Sequence, residues 1–307
     1  MKNRAASVRA RLMNKARESG RPFSELLQYY AMERFLYRLS QLPESDSLLL
    51  KGALMLQVWD APDSRPTRDI DLLAYLDNEI PTVVALARTA CEMEVVDDGM
   101  TFDSTSIRGQ RIKEDADYEG VRVRLQGHLS NARVPIQLDV GFGDVVFPAA
   151  EKAEYPVLLD APAPVLRVYP RETLIAEKYE AMVRLGEINS RMKDFFDIWL
   201  LSRQFQFSGT DLSTAISRTF QHRRTAIPET APVALTEAFS ASETSQRMWA
   251  AFLARSALSI APSEFRVVVA DLEGFLLPPS TAAARGVAFE AVWGADGFWN
   301  SGFGDDG

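Results

Sequence analysis

Cysteine and histidine are nearly missing from this chain. Cys91 is the only cysteine, and His128 and His222 are the only histidines, among 307 residues. That excludes an internal disulfide framework and a cysteine-built zinc site, and it fits a reducing compartment. The two histidines lie far apart with no neighbours at ligand spacing, so a catalytic histidine or a zinc centre has little support. Cys91 falls in an apolar pattern of helical spacing and reads as core. Long apolar runs are also wanting. The basic N-terminus MKNRAASVRARLMNKARESG leads into no signal-type apolar segment, and no later run approaches the ~20 residues of a membrane span, so the chain reads as cytoplasmic. Positive charge is in deficit: 34 Lys and Arg stand against 42 Asp and Glu, for a formal net charge of −8. This argues against a protein that coats nucleic acid nonspecifically, although a local basic surface can coexist with an acidic whole.

What is present is the composition of an ordinary globular chain, 47% hydrophobic and 25% charged, long enough for about two domains. After the basic N-terminal arm, apolar residues at helical spacing (Leu26, Leu27, Tyr30, Phe35, Leu39) predict a helix over 22–40. Leu48–Leu50 form a short apolar run, Lys51-Gly52 turns the chain, and 53–59 read as a helix starting at that turn. Alternation then predicts strands at 69–75, 100–106, 121–127 and 134–142, with a helix at 79–93 between the first two. From Thr173 the period becomes helical through about Phe205, and further helices are expected at 211–220, 233–239, 242–254 and 263–275. The fold class is therefore α+β. A mixed-sheet core with an N-terminal helix (1–160) precedes a helical domain (161–277). The Gly- and Ala-rich tail (278–307), with Phe289, Trp293, Phe298 and Trp299, shows no legible element and reads as disordered.

Carboxylates carry the chemistry. In the strand that opens RDID, residues two apart share a face, so Asp69 and Asp71 point the same way while Ile70 and Leu72 pack behind them. Paired carboxylates of this kind suit Mg²⁺, which takes carboxylate oxygens together with water and substrate phosphate. An Asp-x-Asp is common by chance, and a surface strand edge explains it equally well. The preceding turn shifts that balance: Lys51-Gly52-Ala53 lies between a strand and a helix start, where backbone N–H groups can receive a triphosphate. A third strand carboxylate, Asp139, sits among aliphatic neighbours, where an uncompensated charge is costly.

The stretch Leu50 to Leu73, LKGALMLQVWDAPDSRPTRDIDLL, resembles the first motif of the AbiEii nucleotidyltransferase toxins. That family includes the mycobacterial MenT toxins and lies within the DNA polymerase beta-like superfamily. A second stretch, Tyr155 to Leu201, resembles the downstream motifs, a helix carrying xxEK, whose lysine is Lys178, followed by RxKDxxD from Arg191 to Asp197. The resemblance implies a nucleotidyltransferase core in which Asp69, Asp71 and Asp139 bind metal and Lys178 and Asp194 complete the nucleotide site. Arg68, Arg191 and Lys193 would meet phosphate. Read from pattern alone, Lys178 shares a helix face with Leu174, Ala181, Met182 and Leu185, so a snorkelling lysine explains it as well as a phosphate contact does; Glu177, Glu180 and Arg184 mark the wetter side. Asp194 and Asp197 also fit a plain helix N-terminal charge cluster, and the sequence does not separate them. The superfamily usually has Gly-Ser at the turn; Ala53 here leaves backbone donors alone to hold phosphate. Arg65 and Arg68 would meet the triphosphate or an acceptor strand, or simply neutralise nearby carboxylates.

The expected reaction is Mg²⁺-dependent (or Mn²⁺-dependent) transfer of an NMP from an NTP to an acceptor hydroxyl, with release of pyrophosphate. By resemblance the acceptor is the 3′ end of a tRNA, and an antitoxin encoded nearby would restrain the enzyme. Two alternatives stand beside it: the same enzyme acting on a protein or small-molecule acceptor such as an antibiotic, and a catalytically idle binding module.

Overall fold

The structure is a computed structural model that describes residues 4–61, 64–115, 118–258, 260–294 and 296–301. The chain divides into two compact units. One comprises Met1–Asp60, Pro66–Gly143 and Glu151–Val168, the other Ala61–Arg65, Asp144–Ala150 and Tyr169–Gly307.

The first unit runs α1 (Arg4–Ser19), α2 (Phe23–Ser40), β1 (Leu48–Lys51), α3 (Met55–Val58), β2 (Asp69–Ala74), α4 (Ile80–Glu92), β3 (Met100–Asp115), β4 (Tyr118–Leu129), β5 (Ala132–Phe142), β6 (Glu151–Glu154) and β7 (Val165–Val168). Its seven strands form one sheet in the order β3-β4-β5-β2-β1-β7-β6. The sheet is mixed: β2 runs parallel to β5 and antiparallel to β1, while β1 is parallel to β7. Every residue of β1 is buried, as expected for a short strand enclosed on both edges and faces.

One sheet face is covered by α2 and α4. Phe35 of α2 meets Phe102 of β3 edge-on at 5.1 Å, and a Cβ placed on Gly109 would strike Ile80 and Val84 of α4. A buried ion pair, Arg38 with Asp98 at 2.7 Å, fixes the end of α2 to the segment entering β3. The N-terminal arm is helical: Val8, Leu12 and Ala16 are its buried residues. Their i, i+4, i+8 spacing makes too thin a stripe to stand out among charged neighbours.

The helix expected over 53–59 shrinks to a 3-10 turn, Gly52–Leu54, followed by the four residues of α3. Gly52 sets this geometry with φ +70°, a left-handed conformation that glycine adopts without penalty.

The second unit contains α5 (Arg171–Leu185), α6 (Met192–Gln204), β8 (Phe207–Ser208), α7 (Gly209–His222), α8 (Glu237–Ala241), α9 (Glu243–Ser256), α10 (Phe265–Arg285), β9 (Ala291–Trp293) and β10 (Trp299–Ser301). The helical run expected from Thr173 to Phe205 is interrupted at Gly186, φ +51°, which ends α5. Where the tail shows no legible element, α10 continues through Pro278 and Pro279 to Arg285. β9 and β10 then close a three-stranded sheet with β8; residues 302–307 lie outside the described residues.

Of the tail aromatics, Trp293 packs inward, Phe289 and Trp299 are half-buried, and Phe298 is exposed. Trp293 and Trp299 pack on Phe275, with Phe275 to Trp293 centroids 4.8 Å apart, Phe289 meets Trp299 edge-on, and Trp293 Nε1 donates to Ser202 O at 2.6 Å. By length and composition α10 would pass for a membrane span, which corrects the expectation that no run approaches one. Phe265, Val268, Leu272, Phe275 and Leu276 are instead fully buried in the unit's interior.

Candidate active site

The carboxylates on the first unit come together through strand register. Parallel pairing of β2 with β5 sets Asp71 opposite Asp139 and Asp69 opposite Gln137; antiparallel pairing of β1 with β2 sets Lys51 opposite Asp71. Residues directly opposite share a face, so Lys51, Asp71 and Asp139 form one row across the sheet. Asp69 and Asp71 are half-buried while Ile70 and Leu72 are fully buried behind them. The turn after β1 presses on this row: an ideal Cβ at Gly52 would lie 1.9 Å from Asp71 Oδ2. A glycine is therefore required twice, by its backbone angle and by the carboxylate occupying the place of its side chain. Ala53 is buried and Arg68 exposed. With α3 only four residues long, the macrodipole adds little here, and phosphate binding at the turn would rest on individual N–H groups.

The third carboxylate has another occupation. Arg122 of β4 lies opposite Asp139, and its Nε and Nη2 donate to Asp139 Oδ1 and Oδ2, both at 2.7 Å. Gln137 Nε2 adds a bond to Oδ2 at 3.2 Å. Such a fork on a carboxylate is among the stronger side-chain pairings. Chiefly through the Asp139 bond, and with Asp69 and Asp71 adding to it, the carboxylates raise the Arg122 guanidinium's pKa, so this cation feels all three. Among the described residues, no three His, Cys, Asp or Glu side chains are grouped to hold a metal ion. Asp69 and Asp71 lie half-buried on one strand face, whereas the compensation demanded by buried Asp139 comes from Arg122.

The same face continues as a basic surface. Arg124 stands opposite Gln137 and donates to its Oε1 at 2.9 Å, and Arg108 stands opposite Arg124. Arg133, four residues before Gln137 on β5, shares the face. Arg108, Arg124 and Arg133 are all exposed. Sequence reading missed Arg122, Arg108, Arg124 and Arg133. On a strand, an alternate charged residue reads as an ordinary solvent face until the pairing partner is known.

On the second unit, the lysine and aspartates of the downstream motifs form a buried ionic cluster. Lys178 Nζ lies 2.5 Å from Asp194 Oδ1 and 2.9 Å from Asp197 Oδ2. Arg191 Nε donates to Asp194 Oδ2 at 2.6 Å, and Arg65 grips both Asp197 oxygens at 2.8 Å. The two aspartates that sequence could not separate both bind Lys178. Burial pushes their carboxyl pKa values up, but the neighbouring cations outweigh it and hold both below the usual range: chiefly Lys178 at Asp194, and Arg65 followed by Lys178 at Asp197. Lys178 is fixed within the cluster, its side chain 12% exposed. Lys193 is exposed; desolvation of its ammonium, with Lys178, Arg65 and Arg191 nearby, outweighs the pull of Asp194 and lowers its pKa.

Two other expectations change. Glu180, placed on the wetter side of α5, is fully buried and accepts from Arg223 and Thr225 at 2.9 and 2.7 Å. Cys91 is only half-buried, with its thiol pushed up by burial to about 12.

The family described as "Nucleotidyl transferase AbiEii toxin, Type IV TA system" has a model that matches residues 34–271. No curated protein matches. Among solved structures, JHP933 from Helicobacter pylori is 13% identical with TM-score 0.47, covering 86% of this chain and 93% of its own. A second H. pylori chain, described as a candidate nucleotidyltransferase, is 14% identical with TM-score 0.45, covering 85% and 95%.

Proposed function

The chain belongs to the AbiEii nucleotidyl transferase toxin family of type IV toxin–antitoxin systems, and on that premise we propose that it transfers an NMP from an NTP to the 3′ end of a tRNA in the cytoplasm, using Mg²⁺ or Mn²⁺. As a nucleotidyltransferase toxin it has a nucleotide substrate, and its family implies a cognate antitoxin. The observation that carries the metal-dependent part is the half-buried Asp69–Asp71 pair on one face of a central strand, with the Gly52 backbone against Asp71. A divalent cation held there would neutralise triphosphate oxygens and favour in-line attack at the α-phosphorus.

In the reaction an acceptor oxygen bonds to the α-phosphorus, the bond from that phosphorus to the bridging β-phosphate oxygen breaks, and pyrophosphate leaves. Asp69 and Asp71 hold the cation, while the N–H groups of the Lys51-Gly52-Ala53 turn and the Arg68 guanidinium bind phosphate. On the second unit, Lys193 and Arg191 are the phosphate-binding cations, and Asp194, itself bound by Lys178, holds Arg191. Lys193 suits this role because the residue is exposed, whereas the Lys178 side chain is only 12% exposed.

An RNA acceptor is favoured over a small molecule by the exposed arginines Arg108, Arg124 and Arg133 on the carboxylate face. An open basic surface suits a polyanion, whereas a small acceptor is usually enclosed.

The test incubates the protein with each α-labelled NTP, Mg²⁺ and total tRNA, beside an Asp71→Ala control. Label on RNA with wild type alone, and a loss of about a hundredfold or more in the variant, is expected. Folded protein that binds NTP yet labels no RNA sinks the tRNA acceptor, and an undiminished Asp71→Ala rate sinks the metal assignment.

A further inference from the structure

Resting on the metal-dependent reading above, we propose that Arg122 is the fixed counter-cation of Asp139 and keeps it from a metal ion, so that this site takes one divalent cation, on Asp69 and Asp71 alone. Three observations lead there. Both Asp139 oxygens are engaged by the Arg122 fork at 2.7 Å, and one of them also by Gln137. The Asp139 side chain is only 9% exposed, which leaves little room for a cation and the waters it carries while Arg122 remains. Arg122 is also held in register, opposite Asp139 on the neighbouring strand, and lies in the field of Asp69 and Asp71 as well.

Charge balance agrees with this assignment. Asp69, Asp71 and Asp139 bring three negative charges to the face. Arg122 and Lys51, the latter opposite Asp71 and buried, return two positive ones. That is what a second Mg²⁺ would contribute, and a further divalent ion would leave the site overcharged before any triphosphate arrived. A guanidinium cannot be deprotonated at working pH and matches a carboxylate bidentately, so it serves as a fixed cation independent of metal supply. Arg122 acts here as a positioning residue: it sets the charge and the orientation of Asp139, and Asp139 is its counter-ion rather than a metal ligand.

The experiment counts bound Mn²⁺ on the full chain by electron paramagnetic resonance and isothermal titration, without nucleotide, with thermal unfolding recorded for every variant. Wild type is expected to bind one Mn²⁺. Asp139→Asn should bind one with affinity within about threefold of wild type, whereas Asp71→Asn should lose about tenfold or more. Arg122→Gln should gain a second Mn²⁺, and Arg122→Lys, which keeps the charge, should keep the count at one. Two ions on wild type, or a loss of about tenfold in Asp139→Asn, overturns the role of Arg122 and leaves the metal-dependent reading intact. No Mn²⁺ on folded wild type overturns both, because the ligand pair itself then fails.

Discussion

At the scale of single residues, the two lysines of the downstream motifs part company. Lys178 is enclosed between Asp194 and Asp197, whose side chains are 1% exposed. Removing it leaves two buried carboxylates short of a cation, so Lys178→Ala should cost about 3–5 kcal/mol of stability. It should also raise the Asp194 carboxyl pKa, which Lys178 now helps hold down against burial; carboxyl NMR titration reads this directly. In wild type the depressed pKa adds stability that is complete above the ordinary carboxylate range and is lost only as pH falls below it. Lys193→Ala should move the unfolding midpoint by less than about 0.5 kcal/mol in free-energy terms, and should weaken NTP binding about tenfold, the loss of one charged phosphate contact. The reverse pattern, a stable Lys178→Ala that loses NTP, would return the phosphate contact to Lys178. Both lysines sit in a legible motif, but the sequence pattern left Lys178 open between snorkelling and a phosphate contact, because a helical pattern cannot show that two aspartates one turn apart fold back onto it. Arg122 was illegible for a related reason. VRVRLQ on β4 reads as plain alternation, and only the order β4-β5-β2 brings that arginine beside Asp139.

At the scale of elements, local periodicity was enough to locate most strands and helices, and it failed where packing overrides a local rule. Proline in a helix interior costs about 3 kcal/mol, so a sequence reading ends the helix before Pro278. The helix nevertheless continues to Arg285, because Pro279 and Ala282 stay on the buried face begun by Phe275 and Leu276. Beyond it, Gly- and Ala-rich composition conceals the aromatic cluster around Phe275, whose partners Trp293 and Trp299 lie on strands of three residues each. Strands that short have no measurable period. The Trp293 side chain is 4% exposed and hydrogen-bonded to Ser202, so Trp293→Ala should lower stability by about 3–5 kcal/mol, read as a fall in the urea or thermal unfolding midpoint. A change below about 0.5 kcal/mol would mean that the segment after α10 does not pack in solution.

At the scale of the whole molecule, a net charge of −8 opposes an RNA partner, and the question is whether local charge wins. At 0.1–0.15 M salt the screening length is about 8–10 Å, so an acidic surface elsewhere is felt weakly and the few cations in contact with phosphate decide the affinity. Two sets compete for that role on the first unit: Arg108, Arg124 and Arg133 on the carboxylate face, and Arg9, Lys15 and Arg17, exposed on α1. Only the first set shares a sheet face with Asp69 and Asp71, where the acceptor end must arrive. Each phosphate contact to a single strand contributes about 0.7 to the slope of log K against log salt. An Arg108→Gln/Arg124→Gln pair should therefore flatten the slope for tRNA by about 1.4, measured by fluorescence anisotropy from 50 to 300 mM salt, while Arg9→Gln/Arg17→Gln leaves it unchanged. A slope that answers to α1 instead would place the RNA body along the N-terminal helix. Binding that ignores both pairs would remove the support these arginines give to an RNA acceptor and favour a protein or small-molecule one.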